Sequence, residues 1–158
     1  MEITNKYILF WLDNQGFALH LENIETIVRI VEVKALPKAP EYILGSINFQ
    51  GEFLPVINMR KLFLLMERDI ELSDKLIITQ TELRKVALWV DKVGEIVNRS
   101  LDEIIKTDKI LLDIEYVEGL FEFDDGVILL HDLDRFLKFE QISLLKETLE
   151  RKRRKSTK

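Results

Sequence analysis

Four times along this chain, two short apolar runs flank a turn of two to four residues. Tyr7–Leu12 and Phe17–Leu21 enclose Asp13-Asn14-Gln15-Gly16, and Ile43–Phe49 and Glu52–Ile57 enclose Gln50-Gly51. Lys75–Thr81 and Lys85–Val90 enclose Glu82-Leu83-Arg84; Tyr116–Phe123 and Val127–His131 enclose Asp124-Asp125-Gly126. Turns bearing Asn, Asp and Gly tolerate the positive φ of a tight hairpin, so each pair reads as an antiparallel hairpin. In the first, Asn14 and Gly16 are the residues suited to that φ. Val93–Asn98 adds one more strand candidate. Many short strands at this spacing, with few helices, lead to barrels or a sandwich rather than a parallel α/β sheet.

Helical signals are sparser. Ile24, Ile27 and Val28 stand at helical spacing, which predicts a short helix over Glu22–Val28. Asn58 is placed to cap a turn through Met59–Leu65. The longest helix is expected to begin near Asp132 or Asp134, with Leu133, Phe136 and Leu137, then Ile142, Leu145 and Leu149, along one apolar face. Pro37 and Pro40 force an extended connector, Met66–Asp74 reads as a polar loop, and Leu101–Glu115 as a second long connection.

With 158 residues the chain has the length of one domain. It contains no cysteine, which excludes a disulfide framework, a thiolate metal site and a cysteine nucleophile. The formal charge of −5 is unevenly placed. Residues 151–158 carry six basic side chains and no acidic one, leaving 17 basic and 28 acidic residues in 1–150, a charge of −11. The organisation expected is a single domain over 1–150 with a basic tail over 151–158. So acidic a body repels a nucleic-acid backbone, and no nucleic-acid partner is expected. The N-terminus lacks the pattern of a signal peptide, and the longest apolar run is too short to insert in a membrane. A cytoplasmic location is the expectation.

Reactive constellations are missing. The six glycines form no phosphate cradle, and neither a nucleophile elbow nor a zinc-helix motif occurs. His131 beside Asp132 and Asp134 reads as a strand end followed by helix-capping carboxylates, His20 as an edge or solvated histidine, and Asp124-Asp125 as turn chemistry. Trp11 and Trp89 lie in strands and are expected in the core. No catalytic residue, metal site or cofactor is assigned, and the chain reads as a non-enzyme.

The ordered motifs carry a resemblance. Leu36-Pro37-x-Ala39-Pro40 precedes Gly45-x-x-Asn48-x-x-Gly51-x-x-x-Pro55-Val56-Ile57-x-x-Arg60. Val90-Asp91-x-Val93-x-Glu95-Ile96-Val97, Gly119 and Val127-Ile128-Leu129-Leu130-x-Asp132-Leu133-Asp134 follow. From about Tyr7 to Leu137 this resembles the CheW-like family of chemotaxis coupling proteins. The resemblance implies a mainly β fold of two packed five-stranded SH3-like β-barrels with short helices and a C-terminal helix. It implies a free-standing, non-enzymatic adaptor at receptor arrays beneath the inner membrane, joining a chemoreceptor's cytoplasmic tip to a CheA-type histidine kinase. By the same resemblance, part of the kinase contact falls at Val93, Ile96 and Val97. The receptor contact falls at Ile24, Thr26, Gly45, Asn48, Gln50 and Gly51.

Two positions depart from the family pattern. The Asn-x-Arg-Gly hairpin reads Asn48-Phe49-Gln50-Gly51 here, and Thr26 stands where the family often has Glu. Replacing Arg by Gln removes a fixed charge and a five-donor fork while keeping hydrogen-bonding capacity. Two readings follow: an adaptor with altered receptor preference, or a scaffold that binds the kinase or itself without engaging receptors.

Overall fold

The computed structural model describes residues 3–106 and 116–138. Its elements are β1 (Thr4–Leu12), β2 (Gln15–His20), a 3-10 turn (Leu21–Asn23), β3 (Ile24–Arg29), β4 (Ile43–Phe49), β5 (Glu52–Asn58) and α1 (Met59–Leu62). They continue with β6 (Lys75–Gln80), β7 (Lys85–Val90), β8 (Lys92–Ser100), a 3-10 turn (Leu101–Glu103), β9 (Ile105–Lys106), β10 (Val117–Phe123) and β11 (Gly126–His131). A helix over 133–138, here α2, follows. The apolar stripe through Ile142, Leu145 and Leu149, and the basic tail, lie outside the described residues, as do 107–115 of the second long connection.

One sheet has the order β8-β1-β2-β11-β10-β9 and the other β3-β6-β7-β5-β4. The fold is mainly β, in two SH3-like barrels, the first built from both ends of the chain and the second from its middle. The first gains a sixth, two-residue strand, β9, beyond the five expected. Backbone bonds between Lys34 and Ser46, at 2.9 and 2.8 Å, join the chain beyond β3 to β4 and close the second barrel.

The apolar runs are nearly continuous because several strands are buried on both faces. In β1, Tyr7 and Leu9 point into the first barrel, while Ile8, Phe10 and Leu12 face the second. In β7, Ala87 and Trp89 fill the second barrel, while Val86, Leu88 and Val90 face the first. The two outward sets meet, with Leu133 and Phe136 of α2, in a shared core between the barrels. At about 25 cal/mol per Å² of apolar surface removed from water, this shared layer is what holds the barrels together.

The helix expected over Glu22–Val28 is a strand instead, entered through the 3-10 turn. Its β-branched run pairs with β6, Ile27 opposite Ile77 and Val28 opposite Leu76. A bulge between Ile24 and Thr26 inserts one extra residue. Ile24 and Ile27 therefore both face the shared core, three positions apart, and imitate helical spacing.

Turn chemistry also differs in detail. In the first hairpin the positive φ falls on Asp13, at 55°, not on Asn14 or Gly16. Gly16 sits in β2, where a Cβ would stand 2.4 Å from Ile128 Cδ1; its role is close packing. In the last hairpin Asp124 and Asp125 take φ of 44° and 60°, and Gly126 begins the next strand. The cap on α1 is as expected: Asn58 Oδ1 accepts from the N–H groups of Arg60 and Lys61.

Candidate docking surfaces

The loop after α1 is held by a charged network that the chain assembles from five distant positions. Arg60 is 2% exposed. Its guanidinium donates to both oxygens of Asp13 at 3.0 Å, to Asp91 and to the Met66 carbonyl at 3.0 Å. Arg68 donates to both oxygens of Asp74 at 2.9 and 2.7 Å, and to Asp91 at 2.8 Å. Burial alone would raise the Asp74 pKa, but Arg68, the Glu71 N–H and the Trp89 indole N–H hold it below the usual carboxylate range. Sequence reading took Met66–Asp74 as a polar loop; its arginine turns inward, and Leu64, Met66 and Leu72 are exposed.

Strand β8 separates the three residues assigned to the kinase contact. Val93 is half-buried against the shared core and Val97 is buried inside the first barrel. Ile96 is 52% exposed, with Glu95 exposed beside it. The outward apolar group of this strand is Ile96.

The six residues assigned to the receptor contact fall on β3 and on the β4–β5 hairpin. Ile24 is half-buried against the shared core, and Thr26 is half-buried. Gly45 is buried; a Cβ there would lie 2.3 Å from the Lys34 carbonyl oxygen, so glycine is what lets the second barrel close. Asn48, Gln50 and Gly51 are exposed. Gln50 and Gly51 take φ of 51° and 82°, and Asn48 Oδ1 accepts from the Gly51 N–H at 3.0 Å.

Lys85, at the start of β7, ties the two regions. Its ammonium contacts Glu25 at 2.7 Å, next to Thr26, and Glu52 at 3.5 Å, two residues after Gln50. The hydrogen bond that the Lys85 ammonium donates to Glu25 raises the Lys85 pKa and keeps it charged. Sequence reasoning missed this trio because it looked for the acid at position 26; the signal was the glutamate directly before it, placed by the bulge.

A mostly apolar groove of about 570 Å³ adjoins α2, lined by Leu36, Ala39, Pro40, Ile43, Leu83 and Leu137, among others. The Leu36-Pro37-x-Ala39-Pro40 motif thus forms a groove wall. None of the six residues assigned to the receptor contact lines it.

Among the described residues the strongly bound charges serve one another, and each of three surfaces presents exposed apolar groups: Ile96 on β8, Leu36 and Leu83 at the groove, and Leu64, Met66 and Leu72 on the loop after α1. Two barrels on one shared core, built this way, define a docking module. The CheW-like domain model matches residues 6–141, and the chain belongs to that family. It is 22% identical to the chemotaxis protein CheW of Treponema pallidum, over 87% of this chain and 85% of that protein. It is 30% identical to the probable chemotaxis protein CheW of Rhizobium etli, over 80% and 83%. The crystal structure of the scaffolding protein TtCheW from Thermoanaerobacter tengcongensis matches with a TM-score of 0.75 at 28% identity, covering 83% of this chain and 90% of that one. The family is one of non-catalytic scaffolds, and this chain is not an enzyme.

Proposed function

We propose that this chain is a chemotaxis adaptor that couples a chemoreceptor's cytoplasmic tip to a CheA-type histidine kinase, on the cytoplasmic side of the inner membrane. Ile96 on β8 is the centre of the kinase contact, and β3 with the β4–β5 hairpin contacts the receptor. The observation that carries the reading is the division of the two candidate surfaces: exposed Ile96 lies on β8 of the first barrel, while β3 and the exposed end of the β4–β5 hairpin belong to the second. An adaptor must engage two partners at once, and separate surfaces on separate barrels allow it. Gln50, lacking the family's fixed charge, alters which receptor tips are preferred.

A second reading, a scaffold that binds the kinase or itself without receptors, is favoured by Gln50 and Thr26. The Glu25–Lys85–Glu52 trio weighs against it, because the charged character of the hairpin end is kept. Titration of the purified chain with the regulatory domain of the kinase and, separately, with a receptor-tip helical hairpin decides between them. Binding of both supports the adaptor; binding of the kinase alone supports the scaffold; binding of neither overturns the adaptor and leaves the scaffold its self-binding form alone.

A further inference from the structure

Among the described residues one Phe, Tyr or Trp side chain is exposed: Phe53 of β5, at 70%. Its neighbours Leu54 and Val56 fill the second barrel, and alternation turns Phe53, Pro55 and Ile57 to the other face of the strand. Pro55 and Ile57 line the apolar groove beside α2, and Phe53 is the next residue on that face toward the hairpin tip. Across the strand pair, Ser46 stands opposite Pro55 and Asn48 opposite Phe53. One face of β4 and β5 therefore leads from the groove, past the Phe53 ring, to the tip at Gln50.

A second observation concerns charge. Arg84 is exposed and is the one charged residue lining the groove among the described residues. The charges around it are taken: Lys85 holds Glu25 and Glu52, and Lys138 pairs with Glu82. The Arg84 guanidinium itself has no ion pair among the described residues. Strands β5 and β7 run parallel with Val56 opposite Ala87, and that register, followed back three residues, sets Arg84 level with Phe53. The Lys85–Glu52 contact at 3.5 Å holds these strand starts side by side. An apolar groove that ends at an exposed ring and a free guanidinium fits an amphipathic helix whose apolar stripe is edged by a carboxylate.

We propose that Phe53 and Arg84 determine which receptor this chain selects: the ring anchors an apolar stripe of the tip helix, and the guanidinium pairs with an acidic side chain at the edge of that stripe. This rests on the adaptor reading, which gives the β4–β5 hairpin to the receptor. The receptor is the occupant, not the kinase, because the face is continuous with Asn48 and the hairpin tip, whereas Ile96 lies on the other barrel. Altered preference then has a physical source. Gln50 offers no fixed charge, and the free cation of this face stands at 84 instead, so the matching carboxylate must stand elsewhere on the tip. Aromatic rings and arginines are also the side chains on which binding energy most often concentrates.

Calorimetric titration of the full chain with the recombinant tip of a chemoreceptor from the same organism tests this. Phe53→Ser and Arg84→Gln, both at exposed positions, should fold as the wild type does and weaken the tip about ten-fold and about five-fold. Raising salt from about 50 to about 500 mM should weaken the wild type more than Arg84→Gln, because screening acts on the pair that this variant lacks. Arg84→Glu should lose binding and regain it when one acidic side chain of the tip, each tried in turn, is changed to Lys; a structural role for Arg84 would give no such rescue. Full tip affinity in well-folded Phe53→Ser and Arg84→Gln overturns the proposal and leaves the adaptor reading standing. Self-association lost in these variants, by sedimentation, with tip affinity unchanged also overturns it: the face then belongs to a second copy. A wild-type chain that binds the kinase domain but no receptor tip overturns the adaptor reading, and this assignment with it.

Discussion

Arg60 of the second barrel grips Asp13 in the β1–β2 turn of the first with two parallel hydrogen bonds, each 3.0 Å long. The two partners sit in unlike surroundings. Arg60 is 2% exposed while the Asp13 side chain is 53% exposed. An exposed ion pair contributes little, because water already solvates the ends. A buried guanidinium is different: its other bonds, to Asp91 and the Met66 carbonyl, are made away from solvent.

Truncation should therefore be strongly asymmetric. Arg60→Ala removes one of Asp91's two guanidinium partners, the donor to the Met66 carbonyl and the packing of a buried side chain, and should cost about 2–3 kcal/mol. Asp13→Ala should cost far less, since Arg60 keeps Asp91. Urea denaturation of both variants measures the difference. Equal losses would show that the network stabilises through its exposed end, against the geometry.

His131 makes stability depend on pH in a defined direction. Burial pushes its pKa down from 6.5 to about 4, only partly offset by the bond to the Tyr116 carbonyl. The unfolded chain takes up this proton near pH 6.5 and the folded chain does not, so stability is full above about 6.5 and falls as pH drops toward 4. Between about pH 7 and 5 the loss should be about 2 kcal/mol, and His131→Gln should remove it. His20 acts with the opposite sign. Its bond to Glu118 raises its pKa, so its contribution is present below about 6.5 and fades as pH rises through the higher folded value. His20→Asn should steepen the acid loss. Parallel curves for wild type and His131→Gln, from urea midpoints against pH, would contradict the assignment.

These groups mark where sequence reasoning reached its limit. The strands were legible because a barrel strand buried on two faces must be apolar along its length; β4 and β7 match their expected limits residue for residue. Register was not legible. One bulged residue at Glu25 moved Ile24 and Ile27 to one face and made a strand resemble a helix. The Arg60 and Arg68 network was invisible for another reason. Its carboxylates at 13, 74 and 91 belong to a turn, a loop and a strand junction, and no short-range spacing announces that the fold brings them together. For the docking residues, strand alternation said that some of Val93, Ile96 and Val97 face outward; only the folded packing, which buries Val97, half-buries Val93 and leaves Ile96 52% exposed, selects Ile96.

That selection is testable. Ile96→Glu places a charge on an exposed position and should fold with unchanged thermal stability. It should weaken binding to the kinase regulatory domain by at least about 2 kcal/mol, as expected at the centre of an apolar contact. Val97→Glu buries the same charge inside the first barrel and should fail by unfolding. Calorimetric titration separates the two effects. Undiminished kinase affinity in a well-folded Ile96→Glu chain would remove β8 from the interface.

The hairpin tip offers the complementary test on the receptor side. Gln50 lies in the left-handed region at φ 51°, fully outside the sheet, so Gln50→Arg alters charge with little change in packing. The adjoining Glu25, Lys85 and Glu52 already carry a net charge of −1, and Lys85 is committed to both acids. An added guanidinium at 50 finds Glu52 nearby, and its fixed positive charge then faces the native receptor tip. If the native receptor is matched to an uncharged residue, Gln50→Arg should weaken it by about 1 kcal/mol or more and strengthen a conventional tip that pairs with arginine. Glu25→Gln, which frees Lys85 to turn toward Glu52, should shift the two affinities in the same directions but less. Surface-capture measurements of the three chains on the two receptor tips give the six affinities needed. Equal binding of both tips by all three chains would show that the hairpin end does not read the receptor at all, and the altered preference would fall with it.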